Sequence, residues 1–282
     1  MVYVPITLTN SQTTAVSGGT KVSITMNWSN YSSYLDNQVD NYIFYNSAGI
    51  PLYSWLESGT ANTSTSAVVW LKLDSNGIPA KVGSTNGTCT VFLWFYATGT
   101  NKLGSNNSNY TGWAPNLSGT YGQYDNGANI FVNYYRGDST TWWSVAGTAG
   151  TTSSAPSGSA SAFGAKAFYA YGAAVGSDNY LDINAGYSTS GNYIIQYNTY
   201  TTGLGNLYFS ASSTGTGTMS RTETRPSNYS GFAKTTSWTS WLAPSTSTTN
   251  NASTWYQWSV VMAGNGTQIA DYYTTTFGLG TL

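Results

Sequence analysis

The chain has 282 residues, of which only 7% are charged while 16% are aromatic, including 24 Tyr and 11 Trp, and its formal net charge is −1. Disorder needs few aromatic and β-branched residues and is excluded, and nine Lys plus Arg give no basic footprint for a phosphate backbone. With ten acidic residues and no His, a surface of hydroxyls and amides has little to titrate, so an acidic or otherwise harsh extracellular setting is expected.

The length allows one large or two ordinary domains, each able to bury a core, and two are expected. The single cysteine, Cys89, has no intramolecular disulfide partner and reads as a small buried hydrophobe. No signal peptide and no apolar run of ~20 residues is found, so an exported form is expected to be a mature or trimmed chain opening directly on a strand.

Val2 to Asn10 alternates, with Val2, Val4, Ile6 and Leu8 on one side, and Pro5 assigns it to a sheet edge. Lys21 to Trp28 reads as a half-buried strand, Tyr42 to Tyr45 as a strand closed by the turn Asn46-Ser47-Ala48-Gly49, and Leu52 to Glu57 as another short strand. Val68 to Leu73 and Thr88 to Tyr96 read as two neighbouring inner strands. In the second, Cys89, Val91, Leu93 and Phe95 share one face and Thr90, Phe92, Trp94 and Tyr96 the other. A loop rich in Gly, Ser and Asn then runs to about Thr120.

Four stretches taken together resemble one family: Tyr3 to Asn10, Tyr53-Ser54-Trp55-Leu56-Glu57-Ser58, Ala67-Val68-Val69-Trp70-Leu71-Lys72-Leu73 and Tyr124-Asp125-Asn126-Gly127-Ala128. It is a family of extracellular domains in surface proteins of archaea and bacteria, known only as a domain of unknown function. The resemblance covers about the first half of the chain and implies an extracellular location without implying an activity. In that family the domain is often followed by a laminin-G or concanavalin-A-like jelly roll.

The second half fits such a jelly roll. After a low-complexity passage from Gly147 to Ala162, strands are expected at Ala165 to Tyr171, Tyr193 to Tyr200 and Leu207 to Ser212. A closing hairpin is expected over Thr254 to Tyr273, turning at Asn265-Gly266. The fold class is all-β: two tandem β-sandwich, jelly-roll-like domains over residues 1–137 and 138–282, joined near Arg136 to Thr141. No helix is predicted.

Chemistry is sparse. Glycoside hydrolysis usually uses two carboxyls ~5 to 10 Å apart, whereas Glu57 and Glu223 are the only glutamates and fall in different predicted domains. Without His, neither a Ser-His-Asp triad nor a His-ligated metal site can form, so the chain reads as non-enzymatic. No cofactor is expected, although Asp178 and Asp182, within Asp178 to Asn184, have the oxygen character that calcium takes, and Asp36 with Asp40 is a second acidic pair. Such clusters are usually solvated turns.

Glycan binding would draw on Trp142, Trp143, Trp238 and Trp241 with Arg221 and Arg225, although aromatics are so common here that their positions near loops carry little information. Arg221, Glu223 and Arg225 alternate on one strand face, which is more often simply solvated. Sequons stand at Asn27, Asn30, Asn62, Asn86, Asn106, Asn109, Asn116, Asn228, Asn251 and Asn265. Some are expected to carry glycans, with Asn106, Asn109 and Asn116 favoured by their loop position.

The alternating strand of Val2, Val4, Ile6 and Leu8 can complete a sheet in its own domain or in a neighbouring subunit. The first is the commoner arrangement, and the second would make the protein a polymer subunit. The reading that follows is a non-enzymatic extracellular surface or filament protein, assembled through strand edges as a homopolymer or with other surface proteins. The alternative is a carbohydrate-binding or adhesive module. Neither nucleic acid nor a membrane span is expected.

Overall fold

The computed structural model describes residues 2–104, 110–132 and 134–138, then the segments 143–146, 149–154, 166–170, 180–183, 193–200, 207–213, 218–224, 229–233, 255–262 and 268–274. Two compact units divide the chain, the first built on Met1–Arg136 and the second beginning at Gly137. The regular structure is almost entirely β, as expected from the enrichment in β-branched and aromatic residues. Helix among the described residues is confined to one α turn, α1 (Gly127–Ile130), and short 3-10 turns such as Trp28–Tyr31 and Pro115–Leu117. None of the described helices is long and apolar enough to cross a membrane.

The first unit runs β1 (Val2–Asn10), β2 (Lys21–Met26), β3 (Tyr42–Tyr45), β4 (Pro51–Leu52), β5 (Ser54–Ser58), β6 (Ala67–Lys72), β7 (Gly87–Phe95) and β8 (Thr111–Trp113). These form two four-stranded sheets, in the orders β1-β7-β3-β4 and β2-β6-β5-β8. Neighbours are antiparallel except β5 and β8. Both sheets feed one hydrophobic cluster, with Phe44, Leu52, Val91, Leu93 and Phe95 from the first and Met26, Leu56, Val69, Leu71 and Trp113 from the second. Burying each such side chain contributes roughly 1.5–3 kcal/mol, so this shared core outweighs any local strand preference. On β7 the inward face is the Cys89, Val91, Leu93 and Phe95 set, with Cys89 half-buried against the cluster.

Three expectations need correction. Residues 68–73 and 88–96 are both inner strands but not neighbours: β6 lies in one sheet and β7 in the other. The connection between them is tied down elsewhere, by a bridge between Val16 and Ile78 and by the Asn10 amide, which donates to the carbonyls of Pro79 and Thr14 at 2.9 and 2.8 Å. Residues 52–57 are not one strand but the end of β4 and most of β5, which belong to different sheets and meet at Tyr53. Leu52 and Leu56 reach the same core from opposite sides, and a period of two reads the same with or without that change of sheet.

The third correction concerns the loop to Thr120, which contains β8. Three residues are too few for alternation to show. What holds the strand is burial: the Thr111 hydroxyl donates to the Tyr42 carbonyl at 3.1 Å, and the Ser54 amide donates to the Tyr110 carbonyl at 2.7 Å.

The second unit contains β9 (Trp143–Ala146), β10 (Ala149–Thr152), β11 (Ala167–Ala170), β12 (Tyr180–Ile183), β13 (Tyr193–Tyr200), β14 (Leu207–Ser213), β15 (Thr218–Thr224), β16 (Tyr229–Ala233), β17 (Trp255–Met262) and β18 (Gln268–Thr274). Their sheets are β10-β11, β12-β9, β13-β17-β18 and β14-β15-β16. The closing hairpin is present as β17 against β18, with a register shift between Val261 and Met262. Strand β10 falls inside the passage read as low-complexity.

Candidate functional site

Three of the four stretches singled out in the sequence, 53–58, 67–73 and 124–128, meet at the face of β5 and β6 turned away from the core, while the fourth, Tyr3 to Asn10, lies in the opposite sheet. Alternation sends Leu56, Val69 and Leu71 inward and leaves Trp55 and Trp70, directly opposite each other in the register, on the outer face. A bulge between Leu56 and Ser58 leaves Glu57 out of the ladder and re-aims it. Its carboxylate accepts the Trp70 indole N–H at 2.7 Å, in a site where Glu57 is only 9% exposed.

Residues 121–132 and 134–136 lie over this face. Phe131 meets both indoles edge-on, at 5.4 Å from Trp55 and 5.4 Å from Trp70, and Tyr134 stacks on Phe131 and meets Trp55 edge-on. Asp125 accepts the Trp55 indole N–H at 3.0 Å and the Gly127 amide at 2.9 Å, and pairs with Arg136 at 3.6 Å. Burial pushes the Asp125 carboxyl above its ordinary value, although the Gly127 and Trp55 donors, Arg136 and Tyr134 all pull the other way.

Two glycines permit the close approach. A Cβ on Gly112 of β8 would stand 2.1 Å from Oδ1 of Asn126, whose amide donates to the Ser54 carbonyl at 3.3 Å, and one on Gly127 would strike the Tyr134 ring at 2.6 Å. Lys72 completes the fastening by donating to the Asn129 carbonyl at 3.2 Å. In this arrangement each carboxyl holds an indole: Glu57 ties β5 to β6 through Trp70, and Asp125 ties the covering segment to the sheet through Trp55. Sequence reasoning set Glu57 and Glu223 apart in different predicted domains and gave Asp125 no role beyond its place in a motif. No local signal could have found it, because Asp125 meets Trp55 only through the fold.

The opposite sheet carries a second aromatic group on its outer face. Tyr3 of β1, 53% exposed, stacks on Trp94 at 5.3 Å and meets Phe92 edge-on at 5.7 Å, and Tyr45 meets Trp94 edge-on at 5.6 Å. The Tyr45 and Tyr96 hydroxyls share a hydrogen bond, and burial, followed by that bond, pushes Tyr45 up to about 12. Lys102 lies over the Tyr96 ring at 4.1 Å. Towards the other end of the face the outward residues are Thr7, Thr9, Thr88 and Thr90, paired across β1 and β7.

Val2, Val4, Ile6 and Leu8 lie on β1, which pairs over its full length with β7 of the same chain, from Val2 opposite Phe95 to Asn10 opposite Gly87. Val4, Ile6 and Leu8 pack against the core but stay half-buried, and Val2 is exposed. Among the described residues β7 is the one strand paired with β1.

Asp36 and Asp40 are together: the Asp36 carboxylate accepts the Gly99 amide at 2.9 and 3.1 Å, while burial and then its hydrogen bond with Asp36 raise the Asp40 carboxyl. No group of three or more His, Cys, Asp or Glu suited to a metal ion occurs among the described residues. Asp182 falls in β12 opposite Ser144, and Asp178 lies outside the described residues. Trp143 is in β9 opposite Ile183, and Arg221 in β15 opposite Ser210 and Phe232. Trp142, Arg225, Trp238 and Trp241 lie outside the described residues.

Of the sequons, Asn27, Asn30 and Asn86 are exposed, and Asn62 and Asn116 are half-buried. The Asn62 nitrogen that a glycan would occupy donates to the Leu35 carbonyl at 3.1 Å and to Asn37 Oδ1 at 3.2 Å. Asn116 sits in the 3-10 turn Pro115–Leu117. Asn106, Asn109, Asn228, Asn251 and Asn265 lie outside the described residues.

Neither a protein-family profile nor a solved structure matches the chain. A stretch of 134 residues, 47% of the chain, is 32% identical to a protein of Sulfolobus islandicus rod-shaped virus 1 described as Uncharacterized protein 562. The chain spans 21% of that protein's length.

Proposed function

We propose that this chain is a non-enzymatic extracellular structural protein, a subunit of a surface layer or filament assembled through β-strand edges, with exchange of the N-terminal strand as the route. Two tandem β-sandwiches of the surface-protein type, N-glycosylated and built to hold contacts, are the architecture that goes with this reading. The observation that carries it is β1. An edge strand with nine residues in register supplies main-chain hydrogen bonds to β7, yet its inward side chains Val4, Ile6 and Leu8 are only half-buried. Such a seat accepts any strand of the same alternation, including β1 of another copy. Beside it the face of Tyr3, Phe92 and Trp94 offers apolar area for the next subunit. The contacts involved do not titrate in acid, which suits the low-charge composition.

The register provides the test. Leu8 stands opposite Cys89, and both side chains point to the core. In Leu8→Cys, mild oxidation links the two positions. Strand exchange gives a ladder of covalent multimers on a non-reducing gel, matched by filaments or a lattice in electron micrographs of native material. Bridged monomers alone, with isolated particles in the micrographs, refute the exchange.

A further inference from the structure

We infer that the first unit binds an uncharged saccharide, at a groove between residues 37–38, 60–61 and 113–124 that contains none of the Trp and Arg residues the sequence suggested for glycan binding. The groove has a volume of about 490 Å³, and its principal lining side chains are Asn37, Gln38, Thr60, Trp113, Gln123 and Tyr124. That size falls within the ~300–1,000 Å³ usual for small-molecule sites.

The chemistry of the lining selects the ligand. None of the lining residues is charged, so neither an anion nor a cation finds a counter-charge. What remains is a set of primary amides and hydroxyls beside the half-buried Leu117 and Tyr124. A pyranose ring matches both parts, because its hydroxyl pairs donate and accept while its C–H face lies on apolar or aromatic surface.

The groove is also held in shape. The Trp113 amide donates to the Tyr124 carbonyl at 3.0 Å, and the two rings meet edge-on at 5.7 Å. Asn62 donates to Asn37 Oδ1 at 3.2 Å, while the Ser118 hydroxyl donates to the Thr120 carbonyl at 2.5 Å and fixes the turn beside Gln123. The Asn37 amide is therefore oriented through its oxygen, and its NH2 group is left to donate. Binding to such an oriented set costs less ordering than binding to free side chains. The hydrogen bond from Asn62 also gives the underivatised Asn62 amide a role as a support of the groove. This inference does not depend on strand exchange, and either can fail alone.

The test titrates the full-length chain with maltotriose, mannotriose and N-acetylchitotriose, with trigalacturonate as the charged control, and follows saturation transfer and heat. Binding of at least one uncharged trisaccharide is expected. Gln123→Ala and Asn37→Ala, both at exposed positions, should each weaken it about tenfold, the loss of one to two hydrogen bonds, with the melting temperature unchanged. No binding by any uncharged trisaccharide, binding of the uronate alone, or binding that both variants leave intact overturns the proposal.

Discussion

Both sheets of the first unit turn aromatic side chains away from the shared core, and the two faces meet opposite fates. On β5 and β6, residues 121–132 and 134–136 cover Trp55 and Trp70, and each indole N–H has a buried carboxylate. On β1 and β7, Tyr3, Phe92 and Trp94 contact one another but remain half-buried or exposed. The same residue types thus make a second core where a segment lies over them and an open platform where none of the described residues does. Aromatic content alone does not distinguish the two. The polar atoms do, since a buried indole N–H without an acceptor is costly and both of the covered indoles have one.

The comparison breaks most sharply on substitution to alanine. Trp55→Ala removes a buried indole and one of the donors to Asp125, and should cost about 3–5 kcal/mol in chemical denaturation. If it costs no more than a surface change, residues 121–132 and 134–136 do not form a second core. Gly112→Ala should cost about 1–3 kcal/mol, because the new methyl group displaces Asn126 from the Ser54 carbonyl. A melting temperature equal to that of the parent would show that the close approach is not needed.

A subtler effect is the response to pH. The Asp125 and Asp40 carboxyls are raised, so the folded state binds their protons more tightly than the unfolded chain. Their contribution is fully present below the unfolded carboxyl range and is lost as pH rises through the folded values. The melting temperature should therefore be higher near pH 3 than near pH 7, and Asp125→Asn should flatten that slope. A slope of the opposite sign would show that the ion pair with Arg136 outweighs burial at Asp125.

The smallest effect on stability belongs to the open face. Trp94→Ala should cost only about 1 kcal/mol, the order of an exposed aromatic pair, while assembly in the micrographs is reduced far more than folding. Loss of both together would make the platform structural. Glycan mapping sharpens the picture of the surface further: peptides containing Asn27, Asn30 and Asn86 should carry modification, and those containing Asn62 should not.

Much of this was legible in the residues. Alternation located β1, β2, β3, β6 and β7 and assigned Cys89, Val91, Leu93 and Phe95 to one face, because the side-chain period of a strand is a local property. It missed β8, which is too short to show a period, and joined β4 to β5, because a strand that changes sheet keeps its rhythm. The acidic residues were counted correctly, but their partners were hidden: Trp55 and Asp125 are far apart in sequence, and nothing local tells which indole a carboxylate will meet.

By itself, then, the sequence determined that the chain is all-β, that its polar groups are overwhelmingly neutral, and which side of each long strand is apolar. Only the tertiary structure decided that β6 and β7 lie in opposite sheets, that residues 121–132 and 134–136 cover one aromatic face, and that amides from separate loops line one groove. The physical reason is that pattern and composition act along a few residues of backbone. Strand partners, covering segments and hydrogen-bond acceptors are chosen by the burial of surfaces that are remote along the chain.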